Sequence, residues 1–287
     1  MIKWPEILLP PTYNMPFKDT FTHERVLASF LAAATRNPIS LFSRLNISDP
    51  NLNPEYEGDK LTIPDVRAEV PGWDAAVEMQ RLYTPESYNR QLFRMGRLLA
   101  WHAKEKERYL GMPRVVIVDI AAEFNLIPED GKYYHCFVFK DEESGLAYKN
   151  SPLLITLELL KLPLDDGTEI WIWCKFLLST RPEEFEALMG RSEAVAEAVA
   201  SLARFSADEK MRILAEQREL FLMDQAARMQ YSEAKGRAEG KAEGKAEGKA
   251  EGKAEIARQL LKMKMPLIDI TIATGLSEVE IKRISID

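Results

Sequence analysis

The pattern of apolar and polar positions predicts a β-hairpin in the first third of the chain. Residues 61–70 (LTIPDVRAEV) and 74–81 (DAAVEMQR) are short runs that contain Val and, in the first run, Ile. The segment Pro71-Gly72-Trp73 separates the two runs. Because Pro-Gly is a common turn sequence, the pattern predicts two strands joined by a turn.

The register of this hairpin decides which polar side chains meet. With a two-residue Pro-Gly turn, Val70 faces Trp73, and Asp65 faces Glu78. Side chains alternate along a strand, so Gln80 lies on the same face as Glu78. A slip of one residue separates the two carboxylates, whereas a shift of two keeps them together. The pattern therefore predicts three polar groups that converge on one face.

Apolar spacing elsewhere predicts helices and strands that together make an α/β fold with a helical C-terminal half. The run RVVIVDI (114–120) is almost continuously β-branched, which indicates a central strand covered on both faces. The apolar run IWIWCKF (170–176) also has strand-like character. The remaining expected elements are helices over 16–36, 86–110 and 181–230, and strands over 132–140 and 152–160.

Two facing carboxylates repel each other when both are ionised, so a proton or a cation is expected between Asp65 and Glu78. Magnesium takes oxygen ligands and is often held by one or two carboxylates together with water and substrate phosphate. Gln80, two residues beyond Glu78, could then orient an attacking water. The alternative is a structural pair in which Arg67, Arg81 or a helix N-terminus holds these carboxylates.

The spacing of Asp65 and the triplet Glu78-Met79-Gln80 resembles the nuclease core called PD-(D/E)XK, with Gln in the usual Lys position. Four other blocks, in the same order, are similar to the recombination-promoting nucleases, also described as PD-(D/E)XK nuclease family transposases. These blocks are MPFKDTF (15–21), LASFL (27–31), MPRVVIVDI (112–120) and LELLKLP (157–163).

This resemblance implies a restriction-endonuclease-like α/β core and a metal-dependent DNA endonuclease linked to recombination or mobile-element biology. Asp65 and Glu78 would hold Mg²⁺ or another divalent cation such as Mn²⁺, and Gln80 would be the third catalytic residue. An acidic residue on the first helix is common in such folds. Glu24 is the candidate for it, and a solvent-facing glutamate is the alternative.

A catalytically silent DNA-binding or protein-interaction module that retains the fold is the rival interpretation. A neutral Gln cannot supply the positive charge of Lys at a scissile phosphate. The net charge of −7 also argues against a protein that coats DNA through a basic surface. A local basic strip follows the hairpin, and a solvated helix face is its simpler explanation. The strip consists of Arg90, Arg94, Arg97, Lys104, Lys106, Arg108 and Arg114.

Composition points to a cytoplasmic protein that does not enter a membrane. The two cysteines, Cys136 and Cys174, lie in apolar runs, which suits reduced core thiols. The N-terminal run MIKWPEILLPP is short and broken by prolines, unlike a signal peptide. No segment approaches the roughly 18 apolar residues that a membrane span needs.

The sequence predicts that the chain has three parts: a nuclease-like domain over 1–232, a spacer over 233–255, and a small helical tail over 256–287. The spacer repeats Gly-Lys-Ala-Glu every four residues, and its opposite charges fall two apart, where they face away from each other. We expect a weakly helical, solvated spacer, with helix pairing in a homo-oligomer as the alternative. The tail has a helix-turn-helix-like pattern, with Ser277 as the cap of its last helix.

Overall fold

The computed structural model describes residues 2–49, 64–105 and 111–284. The chain divides into two compact units, Met1–Phe221 and Leu222–Asp287. The first unit contains a six-stranded mixed sheet in the order β1-β2-β3-β4-β6-β5. Its strands are β1 (Asn46–Ser48), β2 (Val66–Val70), β3 (Trp73–Gln80), β4 (Arg114–Ala121), β5 (Tyr134–Phe137) and β6 (Leu153–Glu158).

Helices of the first unit pack on this sheet, and helices also make up most of the chain after it. They are α1 (Asn14–Phe21), α2 (Glu24–Thr35), α3 (Ser87–Glu105), α4 (Glu169–Leu178), α5 (Pro182–Met189), α6 (Glu193–Ala207), α7 (Glu209–Lys262), α8 (Leu267–Thr274) and α9 (Glu278–Ile284). Among the residues described, no helix is both long enough and apolar enough to cross a membrane.

The predicted hairpin forms with the predicted register. Strands β2 and β3 are antiparallel, and Val70 pairs with Trp73. The turn between them holds Gly72 at a φ of 81°, a conformation that glycine adopts without strain. Residues 61–63, the start of the predicted first strand, lie outside the described residues. The predicted central strand is confirmed as well, because β4 lies between β3 and β6 and is parallel to both.

The main hydrophobic core lies on one face of the sheet. Alternate residues of the central strands, such as Val77, Val118 and Ile155, pack there against α1, α2, α4 and α6. The opposite face carries a smaller cluster, in which Ala76 and Ile117 contact α3. Because side chains alternate along β3, Glu78 and Gln80 lie on the same face as Ala76, under α3.

Two expectations about helices and strands are wrong. The expected single helix over 16–36 is two helices, because Thr22 and His23 interrupt it: the Thr22 hydroxyl donates to the Asp19 carbonyl, and His23 has extended backbone angles. The strand-like run 170–176 is helix α4, which begins at the cap residue Thr168. A helix that is buried on nearly every side has no polar stripe, so periodicity does not distinguish it from a buried strand.

The cysteine prediction holds for one residue of the two. Cys174 is buried in α4, but Cys136 in β5 is exposed, and both are free thiols. β5 is the edge strand of the sheet, and its last two residues, Cys136 and Phe137, are exposed. Cys136 is therefore not a core residue.

In the C-terminal region, the Gly-Lys-Ala-Glu repeat forms part of the 54-residue helix α7. A helix already formed on either side can propagate into such a segment at lower cost than the segment could nucleate alone. In the second unit, Ala257, Ile270 and Ile281 form a small apolar cluster that joins the end of α7 to α8 and α9. Ser277 accepts a hydrogen bond from the Glu280 N–H, as a helix cap does.

Candidate active site

The candidate site lies where the β2–β3 hairpin ends and β3 runs beside β4. Asp65 stands one residue before β2, at the position that continues the register toward Glu78. Glu78 and Gln80 lie at the C-terminal end of β3, and Glu78 pairs in register with Asp119 of β4. Residues paired in neighbouring strands point to the same face. Glu78, Gln80 and Asp119 therefore share the face covered by α3.

Asp65 is held by groups from α1 and β3. Its Oδ2 accepts a hydrogen bond of 2.9 Å from the Met79 N–H. Its Oδ1 accepts a hydrogen bond of 3.2 Å from the Asn14 side chain, and the Lys18 ammonium lies 3.2 Å from the same oxygen. The Asp65 side chain is 12% exposed and that of Lys18 39%. The Asp65 carboxylate is thus fixed in place, while the Lys18 side chain beside it remains partly open to solvent.

Glu78 is buried, and only one of its two carboxylate oxygens has a partner among the described residues. Its Oε2 lies 3.0 Å from the Arg94 guanidinium, which α3 supplies. No hydrogen-bond partner reaches its Oε1 within the described part of the chain. Burial raises the pKa of Glu78 well above its usual value; Arg94 opposes this rise, and the charges of Asp65 and Asp119 add to it. Asp65 and Glu78 are therefore within electrostatic range of each other.

Gln80 binds a carboxylate that the sequence pattern did not single out. Its side-chain Nε2 donates a hydrogen bond of 2.6 Å to Asp119 Oδ2. Asp119 is 1% exposed. Burial raises the pKa of Asp119 to about 6, although Arg94 and the amide of Gln91 favour the charged form.

Comparison with protein families gives a match over most of the chain. The model of the family described as PD-(D/E)XK nuclease family transposase matches residues 13–232. The chain belongs to this family. A search of curated proteins and a search of solved structures each returned no match. Membership in the PD-(D/E)XK nuclease family transposases indicates a nuclease or transposase-linked function, and the mixed α/β sheet is consistent with a PD-(D/E)XK-like fold.

The candidate site also contains Arg94 and Asp119, which the sequence pattern does not predict as site residues. Arg94 was expected on the solvated face of its helix, but it is 7% exposed and pairs with Glu78. A helix of alternating charged and apolar residues does not reveal which arginine turns inward. Asp119 could have been found, because a single carboxylate inside the β-branched run RVVIVDI is unusual at a doubly covered position.

Glu24, the other acidic candidate, lies at the start of α2 and is exposed. Solvent exposure agrees with the alternative explanation given for this residue. Two members of the basic strip, Lys106 and Arg108, lie outside the described residues. Of the strip residues described, Arg114 binds the Ser151 carbonyl and lies over the Trp73 ring, which are structural contacts.

The carboxylate oxygens of Asp65 and Glu78 indicate whether a divalent cation fits this site. Glu78 Oε1 is a buried oxygen without a partner in the described part of the chain, and the charge of Asp65 adds to the cost of ionising Glu78. Both features suit a cation held by Asp65 and Glu78. The residues described contain no group of three or more His, Cys, Asp or Glu side chains placed to hold a metal. An ion held by Asp65 and Glu78 would therefore take its other ligands from water and substrate.

Proposed function

We propose that the chain is a metal-dependent DNA endonuclease that acts in recombination or mobile-element biology. The observation that carries this proposal is the buried Glu78 Oε1, which has no hydrogen-bond partner among the described residues. Glu78 shares its face of β3 with Gln80 and is in electrostatic range of Asp65. In this proposal Asp65 and Glu78 hold Mg²⁺ or Mn²⁺. The bound ion would polarise a phosphodiester and lower the pKa of a water.

The side chains around the metal ligands have separate tasks in this proposal. The Met79 N–H and the Asn14 amide fix the orientation of Asp65, so that its carboxylate needs no rearrangement before it binds a cation. Gln80 holds the attacking water through its amide. Arg94 offsets part of the negative charge that Glu78 and Asp119 bring under α3.

Lys18 addresses the objection that Gln80 lacks a positive charge. Its ammonium lies beside Asp65, and its side chain is 39% exposed. A partly exposed cation next to a metal ligand can contact the phosphate of a bound DNA strand. Lys18 would thus supply from α1 the charge that the commoner motif supplies from the third position of the Glu-x-Lys triplet.

The partner of the site is DNA, and the proposed location is the cytoplasm, where both free cysteines would stay reduced. The net charge of −7 favours a narrow contact at the site over a broad basic surface. A catalytically silent DNA-binding or protein-interaction module remains the competing function. It is favoured by the ion pairs that Asp65 already forms with Lys18 and Glu78 with Arg94.

Nicking of supercoiled plasmid DNA tests the proposal. The purified full chain should nick the plasmid in Mg²⁺ or Mn²⁺ and should be inactive in EDTA. Glu78→Gln should abolish nicking, because it removes the charge of one metal ligand at nearly constant shape. Equal nicking by wild type and Glu78→Gln would show that the activity comes from another site or a contaminant.

A further inference from the structure

Gln80 can help an attacking water only if its amide is turned the right way. A side-chain amide has a donor end, Nε2, and an acceptor end, Oε1. A water that attacks phosphorus must lose a proton, so the useful end is the acceptor, Oε1. An amide that rotates freely would present the donor end for part of the time.

The structure contains a group that removes this freedom. Gln80 Nε2 donates a hydrogen bond of 2.6 Å to Asp119 Oδ2. An ionised carboxylate accepts hydrogen bonds and donates none, so it selects the donor end of the amide. Oε1 then points away from Asp119, and no described residue donates a hydrogen bond to it.

Asp119 is well placed to act as a fixed reference. It lies in the central strand β4, between β3 and β6, and is 1% exposed. Its backbone is paired in register with Glu78 on one side and Thr156 on the other. Gln80 is half-buried at the end of β3, so its position relative to β4 is set by the same ladder.

We propose that Asp119 is a positioning residue, which binds the Nε2 end of Gln80 and so presents the Oε1 end to the attacking water. This inference rests on the proposed nuclease function and adds a residue to it. Asp119 acts through Gln80 and touches neither the metal nor the DNA.

A double-mutant cycle separates this role from a purely structural one. An asparagine in place of Asp119 can either donate to the amide of Gln80 or accept from it, so Asp119→Asn should lower kcat for plasmid nicking about tenfold and leave KM unchanged. In a Gln80→Ala background no amide remains to be oriented, so the same substitution should cost less than about twofold.

Thr156→Val is the matched control. Thr156 faces Asp119 from β6, and its buried hydroxyl has no hydrogen-bond partner in the described part of the chain. Its replacement changes the same face of the sheet without touching the Gln80 amide, so nicking should stay at the wild-type rate. An Asp119→Asn substitution that costs as much in the Gln80→Ala background as in the wild type would overturn the positioning role, because a structural defect or a lost metal ligand acts in both backgrounds.

A second readout does not depend on activity. In ¹H–¹⁵N spectra, the Nε2 signals of Gln80, assigned by their loss in Gln80→Ala, should show one strongly downfield proton that shifts upfield in Asp119→Asn. Unchanged Gln80 signals in Asp119→Asn would overturn the hydrogen bond and with it the inference. A wild type that does not nick DNA but shows the downfield proton would overturn the proposed function while supporting the contact between Asp119 and Gln80.

Discussion

At the scale of single residues, each candidate metal ligand has its own cation, and the two cations differ in exposure. Lys18 beside Asp65 is 39% exposed, whereas Arg94 beside Glu78 is 7% exposed. A partly exposed lysine regains water when its partner is lost, but a buried arginine does not. Replacing Asp65 should therefore cost less stability than replacing Glu78, because only the loss of Glu78 leaves a buried cation without its partner. Repulsion between the two carboxylates alone would give both replacements the same effect.

The substitution Asp65→Asn should separate metal binding from folding. The new side-chain amide can still accept the Met79 N–H through its oxygen, and Lys18 can turn to solvent, so the melting temperature of the metal-free protein should stay within about 2 °C of wild type. Affinity for Mg²⁺, measured by calorimetry, should fall by at least about tenfold because a ligand charge is lost.

Glu24→Gln is the control for this experiment, since it removes one carboxylate charge from an exposed helix position. It should change neither the melting temperature nor the affinity for Mg²⁺. If Asp65→Asn melts far below wild type and binds Mg²⁺ equally well, Asp65 is a structural ion-pair residue.

The residue scale also shows what the sequence could predict about the site. The pairing of Val70 with Trp73 follows from turn length and alternation, and both are visible in the sequence. The hydrogen bond from Gln80 to Asp119 joins residues 39 positions apart. It depends on the parallel register of β3 and β4, which no local pattern specifies.

At the scale of elements, helix boundaries follow side-chain hydrogen bonds more closely than apolar periodicity. Helix α5 illustrates this, because Glu184 closes its N-terminus. The Glu184 carboxylate accepts hydrogen bonds from the Thr180 N–H at 3.0 Å and the Arg181 N–H at 3.2 Å, and the Lys175 ammonium lies 3.0 Å away. These contacts, the Thr180 N–H first, lower the pKa of Glu184 to about 2.

Glu184→Gln should consequently reduce stability in a pH-dependent way. A carboxyl whose folded pKa lies below its unfolded value of 4.5 contributes stability above pH 4.5 and loses it as the pH falls toward 2. The variant should melt about 3 °C below wild type at pH 7, and the difference should shrink below pH 4.5. Glu183→Gln, at the exposed neighbouring position, should melt like wild type at every pH. A constant difference from neutral pH down to about pH 3 would contradict the assigned cause.

The Gly-Lys-Ala-Glu repeat is helical as part of α7, yet its own residues favour a helix poorly. Its five glycines cost roughly 1 kcal/mol each relative to alanine. An isolated peptide of residues 235–255 should therefore be mostly disordered in water by circular dichroism.

A peptide with Ala at the five glycine positions is the control. Apart from its chain neighbours and the nearby backbone of its own helix, a Cβ at Gly236, Gly240, Gly244, Gly248 or Gly252 would meet no atom of the described residues within 4 Å, so the change adds propensity without steric conflict. This peptide should gain strong helicity. Equal, high and concentration-independent helicity of the two peptides would show that the glycines carry no such cost.

At the scale of the whole molecule, the fold class was predictable and some of its parts were not. Alternating strand and helix patterns predict an α/β sheet with β4 at its centre, and the structure confirms it. The apolar residues of helix α4 cover nearly every side of it, so its pattern does not differ from that of a buried strand. The family match over residues 13–232 agrees with the resemblance seen in the sequence blocks.

The central claim is that this family member cleaves DNA with Gln80 in place of the usual lysine. The most direct test compares initial rates of supercoiled-plasmid nicking in Mg²⁺ by wild type, Asp65→Asn and Gln80→Lys. We expect nicking by wild type and a loss of at least about 100-fold in Asp65→Asn. Gln80→Lys gives up the amide acceptor but restores the commoner motif, in which the ammonium supplies its charge at the scissile phosphate, so we expect it to nick as fast as wild type or faster. Wild type that is inactive while Gln80→Lys cleaves would contradict the claim and identify the natural chain as a silent module on a nuclease fold.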